Sequence, residues 1–201
     1  MRLFIAVDVG DAVRDEVARV TSLIDDALAA TPTPPRVTWV SRAAVHLTVR
    51  FLGDVSEVDA PRVQTLLSAP IHMAPFEVEW QGLGAFPSPR RPRALWIGVG
   101  HGAIELGRLQ SDVSRRIDRV EVDAEPFRPH LTLGRVRTPG VGVNWAKILR
   151  RISVRGVRSH VERVTLYRST LSPRGPNYTE MAHAALGPAR AGQATGAEGD
   201  R

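Results

Sequence analysis

Two tetrapeptides in this chain repeat one pattern: His46-Leu47-Thr48-Val49 and His130-Leu131-Thr132-Leu133. Each lies in an apolar, β-branched run, Val45 to Leu52 and His130 to Val136, and reads as a strand whose successive side chains point to opposite faces. Histidine and threonine then share a face, while Leu47, Val49, Leu131 and Leu133 fall on the other and anchor the strand in a core. Two imidazoles facing one cleft, one protonated and one neutral near pH 7, are suited to giving a proton to a departing oxygen while taking one from an incoming water. That is acid–base chemistry at a phosphodiester. A lone strand histidine is ordinarily a packing residue, and threonine is common in strands for its own reasons. The doubling carries the reading, and each copy has its own frame: Trp39-Val40 and Phe51-Leu52-Gly53 around the first, Pro126-Phe127-Arg128-Pro129 and Gly134-Arg135 around the second.

Competing chemistries find little support. There is no H-E-x-x-H or other close histidine spacing on a helix, so a zinc hydrolase would have to gather ligands from afar. No G-x-S-x-G elbow and no P-loop occur, and the absence of cysteine excludes disulfides and thiolate nucleophiles. His72, His101, His160 and His183 lie in loops or near element ends and are expected to be surface or packing residues.

The elements that must hold the motifs read as an α+β order. Arg2 to Val7 is a strand and Asp11 to Ala29 a helix, with Val13, Val17, Val20, Ile24 and Leu28 at helical spacing; Thr31 to Pro35 ends it. Arg36 to Val40 and Val45 to Leu52 are expected to pair with each other around Ser41 to Ala44. A helix over Glu57 to Leu67 and strands Phe76 to Leu83 and Ala94 to Val99 follow. Ile104 to Arg119 is a second long helix, its buried stripe expected at Ile104, Leu106, Leu109, Val113 and Ile117. After the second motif come a short helix, Asn144 to Arg150, and a hairpin of Val161 to Leu171 with Tyr178 to Leu186 turning through Ser172 to Asn177. The tail from Gly187, rich in Gly and Ala, is expected to be disordered.

The chain has 201 residues, 43% of them hydrophobic, enough for one good core or two small joined lobes. No apolar stretch approaches the roughly 20 residues of a membrane span, and a cytoplasmic protein is the simplest expectation. The net charge of +6 suits a polyanionic partner. Lys147 is the sole lysine, so a general arginine bias accounts for part of that charge, and clustering is the better guide. Arg90, Arg91 and Arg93 punctuate a Pro-rich loop, and Arg135 and Arg137 follow the second histidine; these are either a nucleic-acid groove or a solvated face. Phe4, Trp39, Phe86, Phe127 and Tyr167 are either core or stacking surfaces for an exposed base.

Taken together, these segments resemble the 2H phosphoesterases, and within them the bacterial RNA 2′,3′-cyclic phosphodiesterases, historically called 2′-5′ RNA ligases. The likeness runs through Arg2-Leu3-Phe4-Ile5-Ala6-Val7, His46 to Gly53, Gly84-Ala85-Phe86-Pro87, Arg91 to Trp96, Pro129 to Arg135, Leu166-Tyr167-Arg168-Ser169 and Gly175-Pro176-Asn177-Tyr178. It implies a single domain over residues 1–186, with two pseudo-symmetric lobes, each an antiparallel sheet with helices on its outer side, and an active-site cleft between them. It also implies a monomeric enzyme acting on RNA 3′ ends that bear a 2′,3′-cyclic phosphate, with no metal or nucleotide cofactor. Read from the residues alone, either imidazole could be the acid. The resemblance makes His46 the proton donor and His130 the acceptor, leaving a 2′-phosphomonoester; the reverse reaction would be ligation to a 5′-hydroxyl. Thr48 and Thr132 are the expected donors to the phosphate oxygens, and Arg135 the expected cation, which requires a bulge or strand end at Gly134 because simple alternation turns it away from His130. Arg50, of the same parity as His46 and Thr48, ranks behind it. Two other readings stay open: an RNA-binding module of this fold without chemistry, and a phosphodiesterase of small cyclic nucleotides.

Overall fold

A computed structural model describes residues 1–117, 126–172 and 175–187. In chain order these form β1 (Arg2–Asp8), α1 (Asp11–Ala29), β2 (Arg36–Trp39), a single 3-10 turn (Arg42–Ala44), β3 (His46–Asp54), α2 (Ala60–Ser68), β4 (Ile71–His72), β5 (Phe76–Phe86), β6 (Ala94–Val99), α3 (Ala103–Ile117), β7 (His130–Thr138), α4 (Trp145–Arg151), β8 (Val157–Val161), β9 (Arg163–Ser172) and β10 (Gly175–Gly187). The expected helix end at Arg119, part of the Ser172 to Asn177 turn and the tail beyond Gly187 fall outside the described residues.

The strands join in the order β4-β10-β9-β1-β3-β7-β6-β5-β8, and β2 also pairs with β7. The two motif strands, β3 and β7, are neighbours at the centre, and they touch through one antiparallel register pair, Leu47 with Leu131. Both leucines are fully buried, each burial being worth roughly 1.5–3 kcal/mol. The motifs thus hold the halves together with one face of each strand and present histidine and threonine with the other. Pairing is antiparallel throughout the path except at the edge, where β10 runs parallel to the two-residue β4.

Helices cover the halves crosswise. α1 and α4 pack against β8 and β5, whereas α2 and α3 pack against β10 and β3. A helix from the first half therefore covers the second, and the reverse, and the buried apolar side chains form one cluster. On α1 the buried residues Val13, Val17, Val20, Ile24 and Leu28 follow the helical period. On α3 the stripe is Leu106, Leu109, Val113 and Ile117, but Ile104 is 69% exposed. Two residues before Leu106 it sits about 200° round the helix, away from the core.

Three other expectations are corrected. β2 does not pair with β3; it pairs with β7, Arg36 against Thr138 through Trp39 against Gly134. The 3-10 turn redirects the chain between them, held on α1 by Arg42 ion pairs to Asp11 and Asp15 at 3.0 and 2.7 Å and by Arg14 donating to the Arg42 carbonyl. α2 begins at Ala60 rather than Glu57, because Ser56 and Asp59 bond each other, the Asp59 amide to the serine Oγ at 3.0 Å, leaving the turn before Pro61 non-helical. Val161 ends a separate strand, β8, which pairs with β5, and β9 starts at Arg163.

Candidate active site

Each motif histidine is held in the same way. His46 Nδ1 lies 2.8 Å from the Ala44 carbonyl, and His130 Nδ1 2.6 Å from the Arg128 carbonyl, two residues upstream in both cases. A carbonyl only accepts, so Nδ1 carries the hydrogen in both rings and Nε2 is the nitrogen left to exchange a proton. The antiparallel sense about the Leu47–Leu131 pair brings His46 toward Thr132 and Thr48 toward His130.

Aromatic rings fix both imidazoles. Phe4 stacks on His46 at 4.8 Å between centroids and Tyr178 meets it edge-on at 5.2 Å. Phe86 meets His130 edge-on at 4.9 Å, with Trp96 at 6.5 Å. Burial pushes both imidazoles below the ordinary histidine value, the carbonyl bonds partly opposing it; the Asp8 charge pulls His46 back up, whereas Arg135 depresses His130 further.

Thr48, His130, Thr132 and Arg135 line a cleft of about 1260 Å³, together with Phe51, Phe86, Arg93 and Phe127 among others. His46, half-buried between Phe4 and Tyr178, is not part of that lining. Arg135 reaches the cleft because β7 slips register: Thr132 pairs with Trp96 and Gly134 with Leu95, leaving Leu133 as the extra residue. The bulge lies where the parity argument requires one. Glycine is needed at 134 because a Cβ there would stand 2.7 Å from the Trp39 ring and 2.9 Å from Val37. β3 slips in the same place, with Thr48 against Ala6 and Arg50 against Ile5. The slip sets Arg50 opposite Ile5 and Phe51 opposite Phe4, and both Arg50 and Phe51 are among the residues that line the cleft.

The remaining candidates separate. Of the loop arginines only Arg93 lines the cleft. Phe86 and Phe127 are cleft walls; Phe4 and Tyr167 stack on each other at 5.5 Å behind His46, and Trp39 donates to Asp25 and covers Gly134. His72, His101, His160 and His183 are exposed. Among the described residues no group of His, Cys, Asp and Glu is arranged to hold a metal ion. Asp8 and Tyr178 were not legible as site residues. Asp8 closes the β1 face that begins with Phe4 and Ala6, and that parity was the available signal; Tyr178 arrives from β10, far along the chain.

The RNA 2′,3′-cyclic phosphodiesterase of Methanothermobacter thermautotrophicus is 35% identical over 190 residues, covering 90% of this chain and 96% of that one. A crystal structure of a Thermus thermophilus protein superposes with a TM-score of 0.72 at 27% identity, over 92% of this chain and 98% of that one. Escherichia coli LigT complexed with 3′-AMP gives 0.64 at 26% identity, over 92% and 97%. The family model of the 2′-5′ RNA ligase superfamily matches residues 9–172, a span that holds both histidine strands, and the chain belongs to that superfamily.

Proposed function

We propose that this protein is an RNA 2′,3′-cyclic phosphodiesterase that opens a terminal 2′,3′-cyclic phosphate to a 2′-phosphomonoester. The observation that carries the reading is the pair of imidazoles on adjacent strands, each with Nδ1 locked on a backbone carbonyl and Nε2 left for proton exchange. Relatives that bear this name, and one crystallised with a 3′-nucleotide, support the substrate class. Neutral His130 takes a proton from water at Nε2 as the water oxygen attacks phosphorus. The bond from phosphorus to O3′ breaks, and His46 gives its Nε2 proton to that oxygen. The products are a 3′-hydroxyl and a 2′-phosphate, and exchange with solvent resets both rings.

Arg135, beside His130, supports the assignment of His130 as the base, because a neighbouring cation favours the neutral ring. Its guanidinium pairs with a non-bridging phosphate oxygen, and the Thr48 and Thr132 hydroxyls donate to the others. The catalytic unit is one bilobal domain over residues 1–186, acting as a monomer in the cytoplasm. No described helix is long and apolar enough to cross a membrane. Both proton transfers are made by side chains of the protein. Protein exhaustively treated with EDTA should therefore still open a 2′,3′-cyclic-phosphate oligonucleotide at its full rate and without ATP. Activity lost in EDTA and restored by a divalent ion would overturn this scheme.

A further inference from the structure

The two histidine strands sit in matching frames, so differences between the frames show what distinguishes the histidines. β1 flanks β3 as β6 flanks β7. Asp8 is opposite His46 where Gly98 is opposite His130, and Ala6 is opposite Thr48 where Trp96 is opposite Thr132. Past the matching bulges, Phe51 occupies the position that Arg135 holds on the other side. Two of these three differences change charge, and in opposite senses. A carboxylate stands by His46 and a guanidinium by His130.

Asp8 is built into its place. Tyr167 Oη donates to one carboxylate oxygen at 2.8 Å and Thr165 Oγ1 to the other at 3.3 Å. The Tyr167 ring stacks on Phe4, which stacks on His46. Burial and the Asp8 carboxylate push the Tyr167 hydroxyl up to about 12, so it remains a donor over the working range. We propose that Asp8 is the positioning residue that commits His46, rather than His130, to the role of proton donor, and thereby selects O3′ as the leaving oxygen.

Of the other groups around His46, the Ala44 carbonyl also favours the charged ring, but the Arg128 carbonyl does the same for His130 and does not distinguish the two; the rest act against it or are neutral. Arg14, from α1, disfavours a charged His46, as does His130 from β7; Tyr178, from β10, is a neutral edge contact. Arg163, on β9, lies 3.9 Å from Asp8 and 3.6 Å from Glu180, so its cation is divided between two carboxylates. Burial lowers both imidazoles. Without Asp8, two similar rings in a near-symmetric site would compete for the single proton.

The proposal depends on the phosphodiesterase reading for its consequence, but its first test uses no substrate. Imidazole titration by NMR in the full chain should show the His46 midpoint about one unit lower in Asp8→Asn than in the unsubstituted protein, with His130 moved much less. Asp8→Glu should recover most of the shift, and Tyr167→Phe, which removes a hydrogen bond but keeps the charge, should recover nearly all of it. With a cyclic-phosphate oligonucleotide, the alkaline limb of kcat/KM in Asp8→Asn should move down by the same amount while KM changes little. A His46 midpoint unmoved in Asp8→Asn, or a loss of rate equal at every pH, would overturn the proposal. If Asp8→Asn does not fold, the His46 midpoint is read in Asp8→Ser instead, where it should fall by a similar amount, and an unchanged midpoint would overturn the proposal. Absence of turnover on the oligonucleotide would instead fault the phosphodiesterase reading and leave the titration result standing.

Discussion

Replacing either His46 or His130 by Ala is expected to lower turnover of a 2′,3′-cyclic-phosphate oligonucleotide about 100- to 10,000-fold, the usual size of a lost general acid or base. The double variant should be little worse than either single one, because the two rings act in one transition state and their losses do not add. Affinity for a 2′-phosphate product should fall far less, since the second ring, two threonines and an arginine still hold the anion. The intact protein should show a bell-shaped kcat/KM. The acid limb belongs to His130, which must be neutral, and the alkaline limb to His46, which must be protonated. Burial lowers both rings, so both limbs of the free enzyme should lie below the ordinary histidine value near 6.5. The bound cyclic phosphodiester, a monoanion, favours the charged rings, and the kcat limbs should lie at higher pH. A nearly silent His46→Ala beside a dead His130→Ala would require a one-histidine mechanism.

The next largest effect is expected at Arg135. It is the cation that the β7 bulge delivers beside His130 and Thr132, and negative charge on the phosphoryl oxygens is redistributed there during attack. Removing one preorganised donor of that kind costs about 100- to 1,000-fold in kcat. Arg135→Ala should show a loss of that order in steady-state kinetics, with the His130 midpoint moving up as the depressing charge disappears. Arg135→Lys should restore charge but not the paired hydrogen bonds of the guanidinium, and recover only part of the rate. An Arg135→Ala variant with full kcat and a raised KM alone would place the residue in ground-state binding.

The parts of this fold that were legible in the sequence are the ones that depend on local periodicity. Period two set Leu47 and Leu131 inward and the histidines and threonines outward; period 3.6 outlined α1 and most of α3. What depends on the partner strand was less accessible. β2 could not announce that it pairs with the distant β7 rather than with its neighbour β3, because the deciding feature is a 3-10 turn held by Arg42 on α1. The bulge at Leu133 could be required from the parity of Arg135 and from Gly134, whereas the matching bulge at Val49 has no glycine to mark it, so the pairing of Phe51 with Phe4 next to His46 was not legible. Asp8 and Tyr178 enter the site only through sheet order, which brings β1 and β10 to the first motif from opposite regions of the chain.

The most direct test of the central claim is the identity of the product. An oligonucleotide ending in a 2′,3′-cyclic phosphate should be incubated with the protein in excess EDTA and the terminal phosphomonoesters resolved. With His46 as donor to O3′ and His130 as acceptor from water, all of the product should carry the phosphate on O2′. A 3′-phosphate product, or a mixture of the two, would contradict the assigned direction of proton transfer, and no conversion at all would contradict the phosphodiesterase itself.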